Sequence, residues 1–265
     1  MRSPGNSCAM PDDLAACADL VRRGDPERFR AVMAAPVRAR ENLFVLYAFN
    51  VEVARAPWLT AEPMIAEMRL QWWRDALAEI GRGGPVRRHV VTTPLARIIG
   101  AHEAALLDEL VAARRWDIAR APFEDIGHFR RHIAATAGNL LVVATRALGG
   151  APEEPVRAGG FALGLANWLR AVPALRAAGR VPLVDGRPEA VRALAEEGIE
   201  SLAGARAARA TIPRAARPAM LALFQAGPVL AAARARPALV AEGGLGPAPF
   251  RDRLTLIARV ASGVW

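Results

Sequence analysis

The side chains of this sequence that could do chemistry are mostly arginines and carboxylates, and few recur at spacings that a reaction needs. His128 and His132 stand four residues apart, with Glu124 upstream, so on one helix they would share a side at a spacing suited to a metal. Neither the glutamate of an HExxH motif nor a third clear ligand accompanies them, and the pattern reads as an exposed polar helix face. Glu67 and Asp75 could share a broad face on a neighbouring helix, with Glu62 nearby, but charged residues so placed read as solvated. Arg170 and Arg180 offer planar guanidinium forks suited to phosphate. Trp72 and Trp73 read either as core or as the lining of an apolar cavity. Cys8 and Cys17 have no Cys/His metal spacing and imply no disulfide framework, which fits a reducing, cytoplasmic compartment.

These groups must be positioned by helices. Hydrophobic residues make up 53% of 265 residues, so a packed core is expected, and a chain of this length buries ~75% of its unfolded surface. Alanine, leucine and arginine dominate while tyrosine occurs once, which favours helix nearly everywhere. The expected fold class is therefore all-α, a single large helical bundle spanning 1–265. All 35 basic residues are arginine and the net charge is +9. That charge draws anionic partners such as a membrane surface, nucleic acid or a diphosphate; alternatively it reflects GC-rich coding. Arginines spread along the chain argue against nucleic acid. No uncharged apolar run reaches ~18 residues, so no transmembrane helix is expected. The N-terminal MRSPGNSCAMPDD lacks the apolar centre of a secretory signal.

The organising stretch is 41–80, read as two helices joined by a turn. Leu43, Leu46, Tyr47, Asn50 and Ala54 recur at three and four on the first. Ile65, Met68, Trp72 and Ala76 do so on the second, with Trp73, Leu77 and Ile80 beside them. Pro57 should end the first helix and leave Trp58 in the turn; Thr60 should cap the second, with Glu62 in its first turn. Upstream, a helix from Asp12 or Asp13 to near Gly24 precedes one opened by Asp25-Pro26 that buries Phe29, Val32 and Met33. Downstream come a loop over 81–93, helices over 93–115 and 123–148 with a short turn over 116–120, and a helix over 156–178. Further helices are expected near 188–197, 199–210, 213–235 and 249–262, with a glycine-rich loop over 243–247. No internal repeat stands out.

Several phrases of 29–183, taken in order, resemble the squalene/phytoene synthase family: YAFNVE from Tyr47, RLQWWRDAL from Arg69, FRRHIAATAGNLL from Phe129, NWLR from Asn167 and GRVPL from Gly179. The resemblance implies an isoprenoid-synthase fold, extended by C-terminal helices over 186–265. It also implies two facing helices whose paired aspartates bridge magnesium to a prenyl diphosphate. The positions that match those four acids are Ala54, Trp58, Ala171 and Leu175, none of which offers an oxygen, and the family's glutamine position is Gly164. Pro57 and Pro173 fall between the members of each pair, so both motifs are expected to lose regular backbone as well. By the same resemblance Arg38, Arg40, Tyr47, Asn167, Arg170 and Arg180 are candidates to hold substrate or an anion, with a solvated helix start the other reading for Arg38 and Arg40. Trp72, Trp73 and Gly138 are candidates to line the cavity, with core packing the other reading. Within the family the wording AFNVE and M-R-x-Q-x-W is closest to its non-catalytic branch of mitochondrial complex I assembly factors. The expectation is thus a family member without catalytic acids, cofactor or metal, whose partners are respiratory-complex subunits or an isoprenoid or phospholipid ligand. It would be cytoplasmic, with peripheral contact to the inner face of a membrane. The alternative is an active prenyl-diphosphate transferase with atypical magnesium ligands.

Overall fold

Prolines and aspartates open many helices of this chain, as their fitness for first turns and caps dictates. The structure, a computed structural model, describes residues 11–246, 249–263 and 265. Residues 1–10 of the N-terminal segment read for a signal, Cys8 among them, and Pro247 of the glycine-rich loop lie outside the described residues. Among those residues the chain forms helix and no strand. The first half holds α1 (Pro11–Gly24), α2 (Pro26–Ala34), α3 (Val37–Arg55), α4 (Pro63–Gly81), α5 (Thr92–Ile98), α6 (Ala101–Ala113) and α7 (Trp116–Ala119). Then follow α8 (Ile126–Ile133), a π-helical turn over Ala134–Gly138, α9 (Asn139–Arg146) and the long α10 (Glu153–Ala177). The C-terminal part comprises α11 (Pro188–Ala207), α12 (Arg217–Met220), α13 (Ala226–Ala235), α14 (Ala238–Glu242) and α15 (Pro249–Ser262).

The local signals act as written at several ends. The Asp25 carboxylate accepts from the Arg28 amide at 3.0 Å and caps α2, and Asp125 does the same for α8 from His128 at 2.6 Å. Pro57 ends α3, and Trp58 lies in a 3₁₀ turn over Ala56–Trp58. Elsewhere the structure departs from expectation. Pro173 does not break α10, which continues to Ala177; so near a helix end the ring costs one hydrogen bond without ending the helix. The helix expected over 93–115 divides at extended Ile99 and Gly100, where the Glu103 carboxylate turns back to accept from the Gly100 amide at 2.9 Å. α11 runs unbroken through Gly198, because that glycine admits Leu230 and Leu165: a Cβ there would lie 2.9 Å and 3.0 Å from their methyls. The stretch 213–235 is interrupted by a 3₁₀ segment over Leu221–Gln225, and α13 starts afresh with Pro228 in its first turn. Glu62, not Thr60, occupies the cap position of α4; Thr60 accepts from the Glu62 amide at 3.1 Å in the turn before it.

The buried stripe of α4 is Ala66, Leu70, Trp73, Ala76, Leu77 and Ile80. Ile65 and Met68, assigned inward from spacing, are exposed, as is Met33 of α2. The stripe is shifted by one residue because adjacent apolar pairs, Met64-Ile65 and Trp72-Trp73, leave the helical phase undetermined. The core is continuous from Cys17 of α1 to Leu256 of α15, and α3 and α10 contribute the most buried residues to it. Where α10 meets the turn between α8 and α9, small residues set the distance. A Cβ on Gly160 would lie 2.8 Å from Gly138 Cα, and one on Gly164 would lie 2.7 Å from Ala137 Cβ. That close approach fixes the spacing of one wall of the site described next.

Candidate functional site

Ala54 of α3 and Trp58 of the following turn line the same cavity as Ala171 and Leu175 of α10. The cavity has a volume of about 470 Å³ and walls that are mainly apolar, from Ile133, Ala137, Trp168 and Ala174 among others. Its polar lining includes Arg28, Asn50, Arg114, Asp117, His132 and Asn167. A second cavity of about 430 Å³ adjoins it past Asn167 and Ala171, towards Asp25, Glu27 and Gln225.

The end of α6 and α7 carry the charged part of the wall. Asp117 is buried, and its Oδ2 lies 3.7 Å from Nη1 of Arg114, too far for a strong charge-assisted bond. Burial pushes the Asp117 carboxyl up, against the opposing pull of Arg114 and Arg180. Burial also lowers the Arg114 guanidinium. Arg180 is buried behind Asp117, donates through Nη2 to the Asp117 carbonyl, and stacks 5.0 Å over the Trp58 ring. Arg114 Nε, Asp117 Oδ2, His132 Nε2 and both Nε and Nη1 of Arg180 are buried without a hydrogen-bond partner. His132 sits among Trp116, Phe123 and Trp168, and burial, reinforced by Arg114, lowers it to about 3. It is a neutral wall residue rather than part of an exposed pair with His128, which is only half-buried and lies 3.9 Å from the Glu124 carboxylate.

The other residues singled out from sequence are dispersed. Arg38 is exposed on the first turn of α3. Arg40 donates to the Ala35 and Met33 carbonyls at 3.0 and 2.9 Å, closing the end of α2. Tyr47 is buried under the Arg28 guanidinium at 5.2 Å, its hydroxyl is unpartnered, and burial pushes it up to about 12. Asn167 is exposed at the junction of the two cavities. Arg170 is held by both oxygens of Glu27 at 2.6 Å and by Gln225 at 3.2 Å, and Gln225 in turn donates to Asp252 at 2.6 Å. Trp72 and Trp73 pack edge to face at 4.9 Å and flank a separate surface groove with Leu59, Ile65, Met68 and His89. Gly138 takes part in the glycine contact with α10 instead of the cavity wall. Arg28, Arg114 and Asp117 were not singled out from sequence; the three charges Arg114, Arg115 and Asp117 around Trp116, at the end of an apolar helix, were the available signal.

The carboxylates nearest the cavity each face an arginine: Asp25 with Arg28 at 3.0 Å, Glu27 with Arg170, Glu52 with Arg55 at 2.7 Å, and Asp117 with Arg114. Among the described residues no three His, Cys, Asp or Glu side chains group so as to hold a metal ion. Magnesium takes near-octahedral oxygen ligands at ~2 Å, commonly one or two carboxylates with phosphates and waters. A donor set of arginine-paired single carboxylates does not suit it. No helix among the described residues is long and apolar enough to cross a membrane.

A family model described as squalene/phytoene synthase matches residues 21–184. The complex I assembly factor 6 homolog of Drosophila melanogaster is 30% identical over 167 residues, covering 59% of this chain and 50% of that protein. Assembly factor 6 of Homo sapiens is 26% identical over 162 residues, covering 59% and 48%. The chain thus spans about half the length of the curated relatives it matches. A dehydrosqualene synthase solved in complex with ligand superposes at a TM-score of 0.74 and 16% identity, over 95% of this chain and 96% of that one. Squalene synthase HpnC from Alicyclobacillus acidocaldarius does so at 0.69 and 20% identity, over 86% and 97%. At these identities the structures establish the fold, that of the isoprenoid synthases.

Proposed function

This chain belongs to the squalene/phytoene synthase family, and from that premise we propose that it is a non-catalytic member which holds an isoprenoid or phospholipid in its central cavity and serves the assembly of a respiratory complex. One observation carries the first half. The two elements that face each other across the cavity contribute Ala54, Trp58, Ala171 and Leu175 where the chemistry of prenyl transfer needs oxygen donors. Ionising an allylic diphosphate releases a leaving group of several negative charges, which the family neutralises with magnesium acting as a Lewis acid. Arg170, the guanidinium nearest the second motif, is neutralised by Glu27 of this same chain. The largely apolar lining supports retention of a lipid. The assembly half rests on similarity to proteins named as complex I assembly factors.

Two measurements test it. Incubation with farnesyl or geranylgeranyl diphosphate and magnesium should give no squalene or phytoene; product at multiple turnovers would overturn the non-catalytic reading. Affinity capture from solubilised native membranes should bring respiratory-chain subunits with the protein. Capture without any such subunit would overturn the assembly reading while leaving lipid binding untouched.

A further inference from the structure

One buried guanidinium, Arg180, and one partly open one, Arg114, share a single carboxylate at the cavity wall. Arg114 and Arg180 both act on Asp117, and among the described residues no other acid takes part in that cluster. Arg180 is 7% exposed and Asp117 2% exposed. Arg180 spends a single donor on a backbone oxygen and stacks on Trp58. Arg114 stands 3.7 Å from its only carboxylate, and a fifth of its side chain is open. Of the other charges, Arg28 is paired with Asp25 at 3.0 Å, Arg170 with Glu27, His132 is kept neutral by burial, and Arg120, which also acts on Arg180, is exposed to solvent outside the cavity lining. The wall is therefore one negative charge short, in a setting where an uncompensated buried charge is costly.

We propose that the cavity binds an amphiphile whose head carries one negative charge, a carboxylate or a phosphodiester, taken by the open edge of Arg114 without a divalent metal. This deepens the lipid-binding half of the function proposed above. A single oxyanion completes the balance of Arg114, Arg180 and Asp117. A free diphosphate, with its several charges, overfills it. A neutral alcohol leaves it as it is. The planar fork of arginine suits either oxyanion, and Ile133, Trp168 and Leu175 supply apolar wall for the tail.

The test is equilibrium binding of matched probes to the full chain below their micellar concentrations. Palmitate and a 16-carbon lysophosphatidylglycerol represent the two sources of a single negative charge. Hexadecanol is the neutral control, and farnesyl diphosphate is measured with magnesium and with chelator. At least one of the two singly charged lipids should bind about tenfold tighter than hexadecanol, unchanged by chelator, and the better one identifies the source. Arg114→Leu should abolish that preference. Asp117→Asn, which makes the wall more positive, should strengthen it severalfold. These opposite directions separate a charge effect from unfolding, which would weaken binding in both variants. The inference is overturned if hexadecanol binds as well as both charged lipids, or if farnesyl diphosphate with magnesium binds tightest. It is also overturned if both variants lose affinity equally or if no probe binds. The product and capture assays above read the parent proposal independently of all these results.

Discussion

Gly160→Ala should destabilise the protein even though alanine is the better helix former. The new Cβ would stand 2.8 Å from Gly138 Cα and 3.1 Å from the Ala137 carbonyl oxygen, both backbone atoms that cannot swing aside. Ordinary contact between carbons is 3.5–4.0 Å, so α10 and the π turn must part by roughly 0.7–1.2 Å at this point. Overpacking of that kind costs about 1–3 kcal/mol, and the propensity gain returns at most about 1 kcal/mol. The net loss of up to about 2 kcal/mol should lower the melting temperature by up to roughly 8 °C for a chain of this size. Gly204→Ala is the matched control: it lies on an exposed face of α11 with nothing within 4 Å of a Cβ, so the same substitution should raise the melting temperature. Thermal unfolding followed by far-ultraviolet circular dichroism reads both. Gly160→Ala melting at or above the wild-type temperature would show that the two helices are not locked by this contact.

Arg170→Ala should be a severe change, because Arg170 and Glu27 are each only about 19% exposed and the substitution strands the carboxylate beside Gln225 and Asp252. A loss of about 2–4 kcal/mol is expected, and pairing it with Glu27→Ala should recover part of that loss in a denaturant-based double-mutant cycle. His132 gives a pH signature. Its folded value of about 3 lies below the usual 6.5, so unfolding takes up a proton between those limits. Stability from keeping it neutral is whole above pH 6.5 and falls as pH drops towards 3, by up to ~1.4 kcal/mol per pH unit. Comparing chemical denaturation of wild type and His132→Phe at pH 7 and pH 5 should show the variant less acid-sensitive; equal sensitivity would mean His132 titrates normally.

Helix content, the cap at Asp25 and the end of α3 at Pro57 were legible because each depends on residues within one turn of the chain; the cap at Asp125, which opens α8 at Ile126 and not at the expected Phe123, was not read. Trp58 and Ala54 could be assigned to a facing pair with Ala171 and Leu175 only through the family resemblance, since no local pattern joins residues so far apart in sequence. Local reading failed where tertiary contact overrides it. Gly198 reads as a break yet sits inside α11 because Leu230 and Leu165 occupy the space a side chain would need. Ile65 and Met68 read as core yet face outward because Ala66, Leu70 and Trp73 form the buried stripe of α4. His132 reads as a partner of His128 yet turns into an aromatic cage, since Phe123 and Trp116 come from other segments.

Arg170 and Arg114 support the proposed non-catalytic reading more sharply than Ala54, Trp58, Ala171 and Leu175 do. A guanidinium that serves as an anion receptor must be free to exchange its partner for the ligand. Arg170 is not: two 2.6 Å bonds to Glu27 and a third to Gln225 hold it in the chain's own network, and any incoming oxyanion must compete with a carboxylate already in place. Arg114 meets its carboxylate only at 3.7 Å, keeps an open edge and has an unpartnered Nε. Receptivity to anions has thus moved, on the reading proposed above, from the α10 face of the cavity to the junction of α6 and α7. Glu27→Gln offers a direct check on that division. Removing the competing charge should make Arg170 available, so the protein should gain affinity for farnesyl diphosphate without magnesium while its affinity for palmitate stays the same. A gain for both ligands together would mean that the two arginines serve one common site.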